Sequence, residues 1–135
     1  MKMMESIPAA MIAPCGINCA ACYAHLRARK RCLGCQGADA AKPAHCLTCK
    51  IRACAVEKGL EFCHQCAGYP CKAIRYIDKR YRLSYQHSLI ETSLHLKAIG
   101  PDAYMAEERE KWACKDCGGV ISLHDQACSE CGKKP

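Results

Sequence analysis

The rhythm of apolar and polar positions changes twice along this chain. Residues 72–112 carry the regular pattern. Ile74, Ile77 and Tyr81 recur at i, i+3 and i+7, which places them on one helical face. Ser88 followed three residues later by Glu91 fits a capping box, in which the hydroxyl caps the first turn and the carboxylate reaches back. Ile90, Leu94 and Ala98 continue from it at i, i+4 and i+8 as a second stripe. Gly100-Pro101 ends that helix and can start the next. Met105 and Trp112 share a face of this third segment, and Glu107 and Lys111 make a favourable i,i+4 pair on another. The stripes read as core packing of two to three short helices.

On either side the pattern is different. Residues 1–71 hold eleven cysteines with Gly and Pro scattered between them, which leaves room for loops, knuckles and single helical turns. Residues 113–135 hold four more cysteines around Val120–Leu123, a stretch suited to a short strand. The expected organisation is a cysteine-rich metal-binding domain at 1–71, a helical region at 72–112 and a zinc ribbon at 113–135. The fold class is a small, metal-rich, irregular α+β protein.

Composition explains why metals are needed. The 135 residues include fifteen Cys but only one Phe and one Trp. A core so poor in large side chains needs disulfides or metals as staples. The opening MKMMESIPAAMIAPCG does not read as a signal peptide, and no stretch approaches a transmembrane helix. A cytoplasmic, reducing location is therefore expected, where structural disulfides are rare. The odd cysteine count also leaves one thiol over in any full pairing. All thiols are expected to be reduced and no membrane partner is expected.

The formal charge of +7 invites a nucleic-acid reading, which metal binding weakens. Metal-bound cysteines are thiolates, and fifteen of them with four divalent ions bring the formal balance to zero. Arg29, Lys30 and Arg31 before Cys32, and Lys50 after Cys49, then compensate thiolate sites. Lys79-Arg80-Tyr81-Arg82 alternates charge with an aromatic ring. Tyr76, Tyr81 and Tyr85 could stack on bases there, or the run could be a solvated helix face with one tyrosine tucked inward.

The most specific motif is C-terminal: Cys114 and Cys117, then Cys128 and Cys131, each pair followed by glycine. A CxxC turn aims two sulfurs at one ion, and two such turns close a tetrahedral four-sulfur zinc site. Glycine permits the tight turn, whose amides can donate to thiolates. Four protein ligands leave no open position, so such a site is structural.

The N-terminal cysteines divide less clearly. Cys19, Cys22, Cys32 and Cys35 form one quartet, and Cys46, Cys49, Cys63 and Cys66 another. Cys15, Cys54 and Cys71 remain, and His25, His45 or His64 could complete their site. A repeat offers a different division: Cys46-x2-Cys49-x4-Cys54 recurs as Cys63-x2-Cys66-x4-Cys71, seventeen residues on. Fifteen Cys and one His supply the sixteen ligands of about four zinc ions. His87, His95 and His124 lie away from the pairs and read as ordinary polar residues. Cys15-x3-Cys19-x2-Cys22 has radical-SAM spacing, but Ala21 stands where that motif has an aromatic, and the chain is too short for its barrel. An iron–sulfur cluster without that chemistry remains the alternative cofactor, because thiolates suit both metals. No Walker loop, dinucleotide fingerprint or nucleophile motif appears, so no catalytic residue is expected.

Ala13-Pro14-Cys15-Gly16-Ile17-Asn18-Cys19-Ala20-Ala21-Cys22, then Cys32-Leu33-Gly34-Cys35, then the stretch from Cys49 through Ile51-Arg52-Ala53-Cys54 and Cys63-His64-Gln65-Cys66 to Tyr69-Pro70-Cys71, resemble a known family. It is a cysteine-rich bacterial and archaeal group, domain of unknown function 3795. The resemblance covers about residues 11–80 and implies a metal-binding domain with no known activity, substrate or partner. The helices and ribbon look like an appended extension. The expected function is a non-catalytic zinc-binding interaction or regulatory module with a protein partner. The rivals are a nucleic-acid-binding zinc protein and an iron–sulfur redox or metal-handling protein.

Overall fold

The structure is a computed structural model describing residues 1–135. The cysteine-rich segment contains little regular structure, as its Gly and Pro content requires. Its helices are α1 (Tyr23–Leu26), α2 (Ala44–Leu47) and α3 (Lys50–Glu57), with short 3-10 turns at Ala9–Met11, Cys19–Ala21 and Cys63–Gln65. Asn18 starts the second of these turns, its Oδ1 accepting from the Ala20 amide at 3.0 Å. Three longer helices follow: α4 (Lys72–Tyr85), α5 (Leu89–Ile99) and α6 (Pro101–Trp112). The chain ends in a two-stranded antiparallel hairpin, β1 (Ile121–Ser122) against β2 (Ala127–Cys128), with Ile121 opposite Cys128. No helix is long and apolar enough to cross a membrane.

Gly100 and Pro101 separate α5 from α6 as their chemistry dictates. Gly100 takes φ 86° as the C-cap, and Pro101 opens the next helix. Ser88 caps α5, its Oγ accepting from the Glu91 amide at 3.2 Å. A second acceptor stands there that local spacing does not reveal. Asp78, buried on α4, takes hydrogen bonds from Ser88 Oγ (2.8 Å) and the Ile90 amide (3.0 Å), and from Arg82 Nε (2.9 Å). One carboxylate thus joins α4 to the positive end of α5.

The main core lies between the N-terminal segment and the three long helices. Ile7, Met11, Ile12, Phe62, Ile74, Leu96, Tyr104 and Met105 meet in it. The face that α5 buries is not the expected Ile90–Leu94–Ala98 stripe. Leu89, Ser93 and Leu96 are buried, whereas Leu94 is 52 % exposed. The reason is a close approach: Ser93 Oγ donates to the Cys15 carbonyl at 3.3 Å, and a Cβ on Gly16 would stand 2.3 Å from Ser93 Oγ. The helix turns its small polar residue inward so that the cysteine-rich loop can pack against it. Glu107 likewise faces His95 (2.6 Å), while Lys111 lies over the Trp112 ring (5.1 Å).

The hairpin is fastened to the rest of the molecule. The Val120 amide donates to the Met1 carbonyl (2.8 Å), the Met3 amide to Gly118 (2.9 Å), and the Leu123 amide to Ala21 (2.9 Å). His124 forms a further link. Its Nδ1 accepts from the Tyr23 amide at 3.4 Å, which leaves the proton on Nε2, 2.8 Å from the Tyr81 hydroxyl. The rings of Tyr23, Tyr81 and Tyr85 surround it edge-on at 5.0–5.5 Å. Tyr81 and Tyr85 are therefore committed to packing, and of the three candidate base-stacking tyrosines only Tyr76 stands free, 68 % exposed.

Candidate metal centres

All fifteen cysteines are free thiols. Four of them make a preformed site. Cys114, Cys117, Cys128 and Cys131 place their sulfurs within 4.8 Å of one another, and no other group of three or more Cys, His, Asp or Glu is drawn so tightly. Cys114 and Cys131 are 3.9 Å apart, Cys117 and Cys128 3.5 Å. A zinc ion bound tetrahedrally about 2.3 Å from each sulfur sets its ligands about 3.8 Å apart. The donor set and its spacing fit such an ion.

The two knuckles are built alike. Gly118 and Gly132 both take φ 73°, and their amides donate to the carbonyls of Cys114 and Cys128, each at 3.0 Å. The Gly119 amide donates to Cys117 Sγ and the Glu130 amide to Cys128 Sγ, both at 3.4 Å. These bonds favour thiolate. Burial opposes ionisation of Cys128, but the Cys131 and Glu130 amides and the Cys117 and Cys131 thiols outweigh it and bring Cys128 to about 6. At Cys117 the Gly119 amide pulls down, yet burial and the three neighbouring thiols push it up to about 11. The cluster gives up one proton readily and holds the next. A divalent cation reverses that second preference, so metal binding must release protons.

The fold brings the first sequence quartet, Cys19, Cys22, Cys32 and Cys35, to one cavity, and divides the second. Cys54, Cys63, Cys66 and Cys71 line one apolar cavity of about 50 Å³ together with Leu60, Tyr69 and Ile74. The 3-10 turn presents Cys63, α4 begins immediately after Cys71, and α3 brings in Cys54 from the earlier repeat. Lys58 Nζ donates to Cys66 Sγ at 3.4 Å. The Gly68 amide and that ammonium hold the Cys66 thiol below its usual range, whereas burial and the other cavity thiols push Cys63 up to about 11.

Cys19, Cys22, Cys32, Cys35 and Cys46 line a second cavity of about 60 Å³, with His25, Lys42 and Tyr81 among its walls. A hydrogen bond from Cys19 draws Cys35 down to about 7 against the effect of burial, with help from Lys42 and Arg52. Cys19 keeps the shared proton and is pushed well up. Lys42 is buried, its ammonium held by the carbonyls of Cys35 (3.1 Å) and Gly37 (2.7 Å) and by Asp39 (2.6 Å). A buried lysine beside a thiol is the counter-charge an anionic centre needs. At Cys15 burial raises the thiol strongly, and Cys35, Cys49 and Cys63 add to the effect. His64 stacks on Phe62 at 5.3 Å and lines neither cavity.

Against known families, residues 11–76 match a model described as "Protein of unknown function (DUF3795)". The match covers 66 of the 135 residues, in the cysteine-rich segment. It ends in the first turns of α4, so it takes in all eleven N-terminal cysteines and the whole lining of the 50 Å³ cavity, while Tyr81 and His124 of the other cavity and the ribbon tetrad lie outside it. No curated protein and no solved structure matches the chain.

Proposed function

We propose that this chain is a non-catalytic zinc protein holding about four ions, and that it works as an interaction module. The observation that carries the reading is the ribbon tetrad, whose four sulfurs supply every ligand of a tetrahedral ion and leave no position for substrate. The outer face of α4 supports the interaction role. Tyr76 (68 % exposed) and Leu83 (70 % exposed) lie there beside Lys79 and Arg80, an apolar and basic surface suited to an acidic protein partner. Zinc-edge X-ray absorption on protein purified without oxygen tests the metal. A sulfur shell at about 2.3 Å is expected.

One observation favours an iron–sulfur reading for part of the N-terminal cysteine-rich segment. The thiols around its cavities stand further apart than those of the ribbon. In a [4Fe–4S] cluster each thiolate binds a different iron, which spaces the sulfurs more widely than one zinc does. Iron in the protein, with broad visible absorption, would establish that alternative. The nucleic-acid reading is tested separately: binding to generic duplex DNA should be weak and shallow in its salt dependence. A log–log slope steeper than about −4 would overturn the interaction-module reading in favour of nucleic acid.

A further inference from the structure

The α4 helix carries more exposed cations than the fold uses. Lys72, Arg75, Lys79, Arg80 and Arg82 all lie exposed on it, and its one carboxylate, Asp78, is buried and committed to Arg82 and the start of α5. Lys72, Arg75, Lys79 and Arg80 make no ion pair. Along the middle of the exposed face Lys72, Tyr76, Lys79 and Leu83 recur at i, i+4, i+7 and i+11, a heptad seam in which cation and apolar residue alternate. Arg75 and Arg82 flank that seam on one side and Arg80 on the other. The Arg80 flank opens into a cleft of about 390 Å³, walled by Ile77, Ser84 and Tyr85 of α4 and by Tyr23 and His45.

Each feature restricts the occupant of this face. Tyr76 and Leu83 stand about 10.5 Å apart along the axis, at 1.5 Å per residue. A second helix presents residues seven apart at the same interval and on one face. An extended chain covers that distance in about three residues, at about 3.3 Å each, and turns the third to its other face. Charge argues against a second copy of this chain: with arginine on both flanks of each helix, cation meets cation in either orientation. A polyanion that offers charge alone leaves Leu83, 70 % exposed, without a partner. We propose that α4 docks an acidic amphipathic helix of another protein. Its apolar residues would lie against Tyr76 and Leu83, its glutamates against Lys72, Lys79 and the flanking arginines, and one apolar side chain would enter the cleft beside Ser84. The proposal rests on the reading of the chain as an interaction module.

The test measures binding to the full-length chain by fluorescence anisotropy at near-physiological salt. The probes are a labelled three-heptad helical peptide with leucine and glutamate alternating along its seam and glutamate on both flanks, a scrambled peptide of the same composition, and oligothymidine. The patterned peptide should bind about tenfold or more tighter than the scramble, and Tyr76→Ser with Leu83→Ser should remove about that factor, which corresponds to about 1.4 kcal/mol. Ser84→Trp should weaken binding by filling the cleft. Lys79→Glu should weaken the patterned peptide and prefer one with lysine in place of the seam glutamates. All four positions are exposed, so each variant should keep the wild-type zinc count in native mass spectrometry. A patterned peptide that binds no better than the scramble, binding unmoved by the Tyr76 and Leu83 changes, or a Lys79→Glu protein that still prefers glutamate would overturn helix docking while leaving an acid-binding module. Oligothymidine bound more tightly than the patterned peptide would overturn it in favour of nucleic acid. A wild-type chain without zinc would overturn the zinc-module reading itself, whatever the peptides do.

Discussion

Two adjacent glycines in the first ribbon knuckle should respond to alanine for different reasons. A Cβ on Gly119 would stand 2.7 Å from Cys128 Sγ and 2.8 Å from Cβ and Cγ of Glu130. Cys128 cannot rotate away and still face Cys117 at 3.5 Å, and the Glu130 atoms are close to their own backbone. Overpacking of this kind costs about 1–3 kcal/mol. The cost falls on the closed site, because the turn can relax once the metal leaves. At about 1.4 kcal/mol per tenfold, Gly119→Ala should weaken the ribbon ion by about 5- to 150-fold. Gly118 takes φ 73° and its Cβ would meet nothing within 4 Å. Gly118→Ala therefore pays only left-handed strain, about 1 kcal/mol, part of which persists without metal. The assay is zinc retention by native mass spectrometry across a chelator titration. Gly119→Ala should lose one ion early and keep the rest. A Gly119→Ala protein that matches wild type, or a Gly118→Ala protein that is the weaker of the two, would refute the steric argument.

Asp78→Ala should destabilise by about 2–4 kcal/mol in urea unfolding, because it removes a buried acceptor of two α5 donors; a change under about 1 kcal/mol would show that Ser88 alone caps the helix. His87 is held down to about 4 from its ordinary 6.5 by burial, then by Lys111 and His124, with Asp78 opposing. The unfolded chain binds that proton first, so this stabilisation is complete above about pH 6.5 and is lost as pH falls toward 4. His87→Gln should flatten the difference between pH 7 and pH 5 relative to wild type, and parallel curves would contradict it. Cys114→Ser should release one ion and raise hydrogen exchange at Val120, Leu123 and Met3, whose amides join the ribbon to the rest of the molecule. The N-terminal cysteine-rich segment should keep its metals; their loss would mean that the centres fold as one unit.

Sequence reading located the local features well because their causes are local. Gly100-Pro101 punctuates the helices by backbone restriction alone. The ribbon tetrad closes within eighteen residues, so spacing was sufficient to find it. The α5 stripe was misplaced because Leu94 and Ser93 differ in depth only through the approach of Gly16 from far along the chain. The grouping of Cys54 with Cys63, Cys66 and Cys71 was hidden for a related reason. Two copies of one spacing motif allow several divisions, and only the path of α3 selects among them. His124 gave no signal at all: its importance comes from three tyrosine rings on two other helices.

The central claim is that several metal ions, bound by thiolates, hold this fold together. Native mass spectrometry with elemental analysis, on chain purified without oxygen, measures it most directly. About four zinc ions per chain and no iron are predicted, from fifteen cysteines and one histidine at four ligands each. A chain carrying one ion or none would contradict the account.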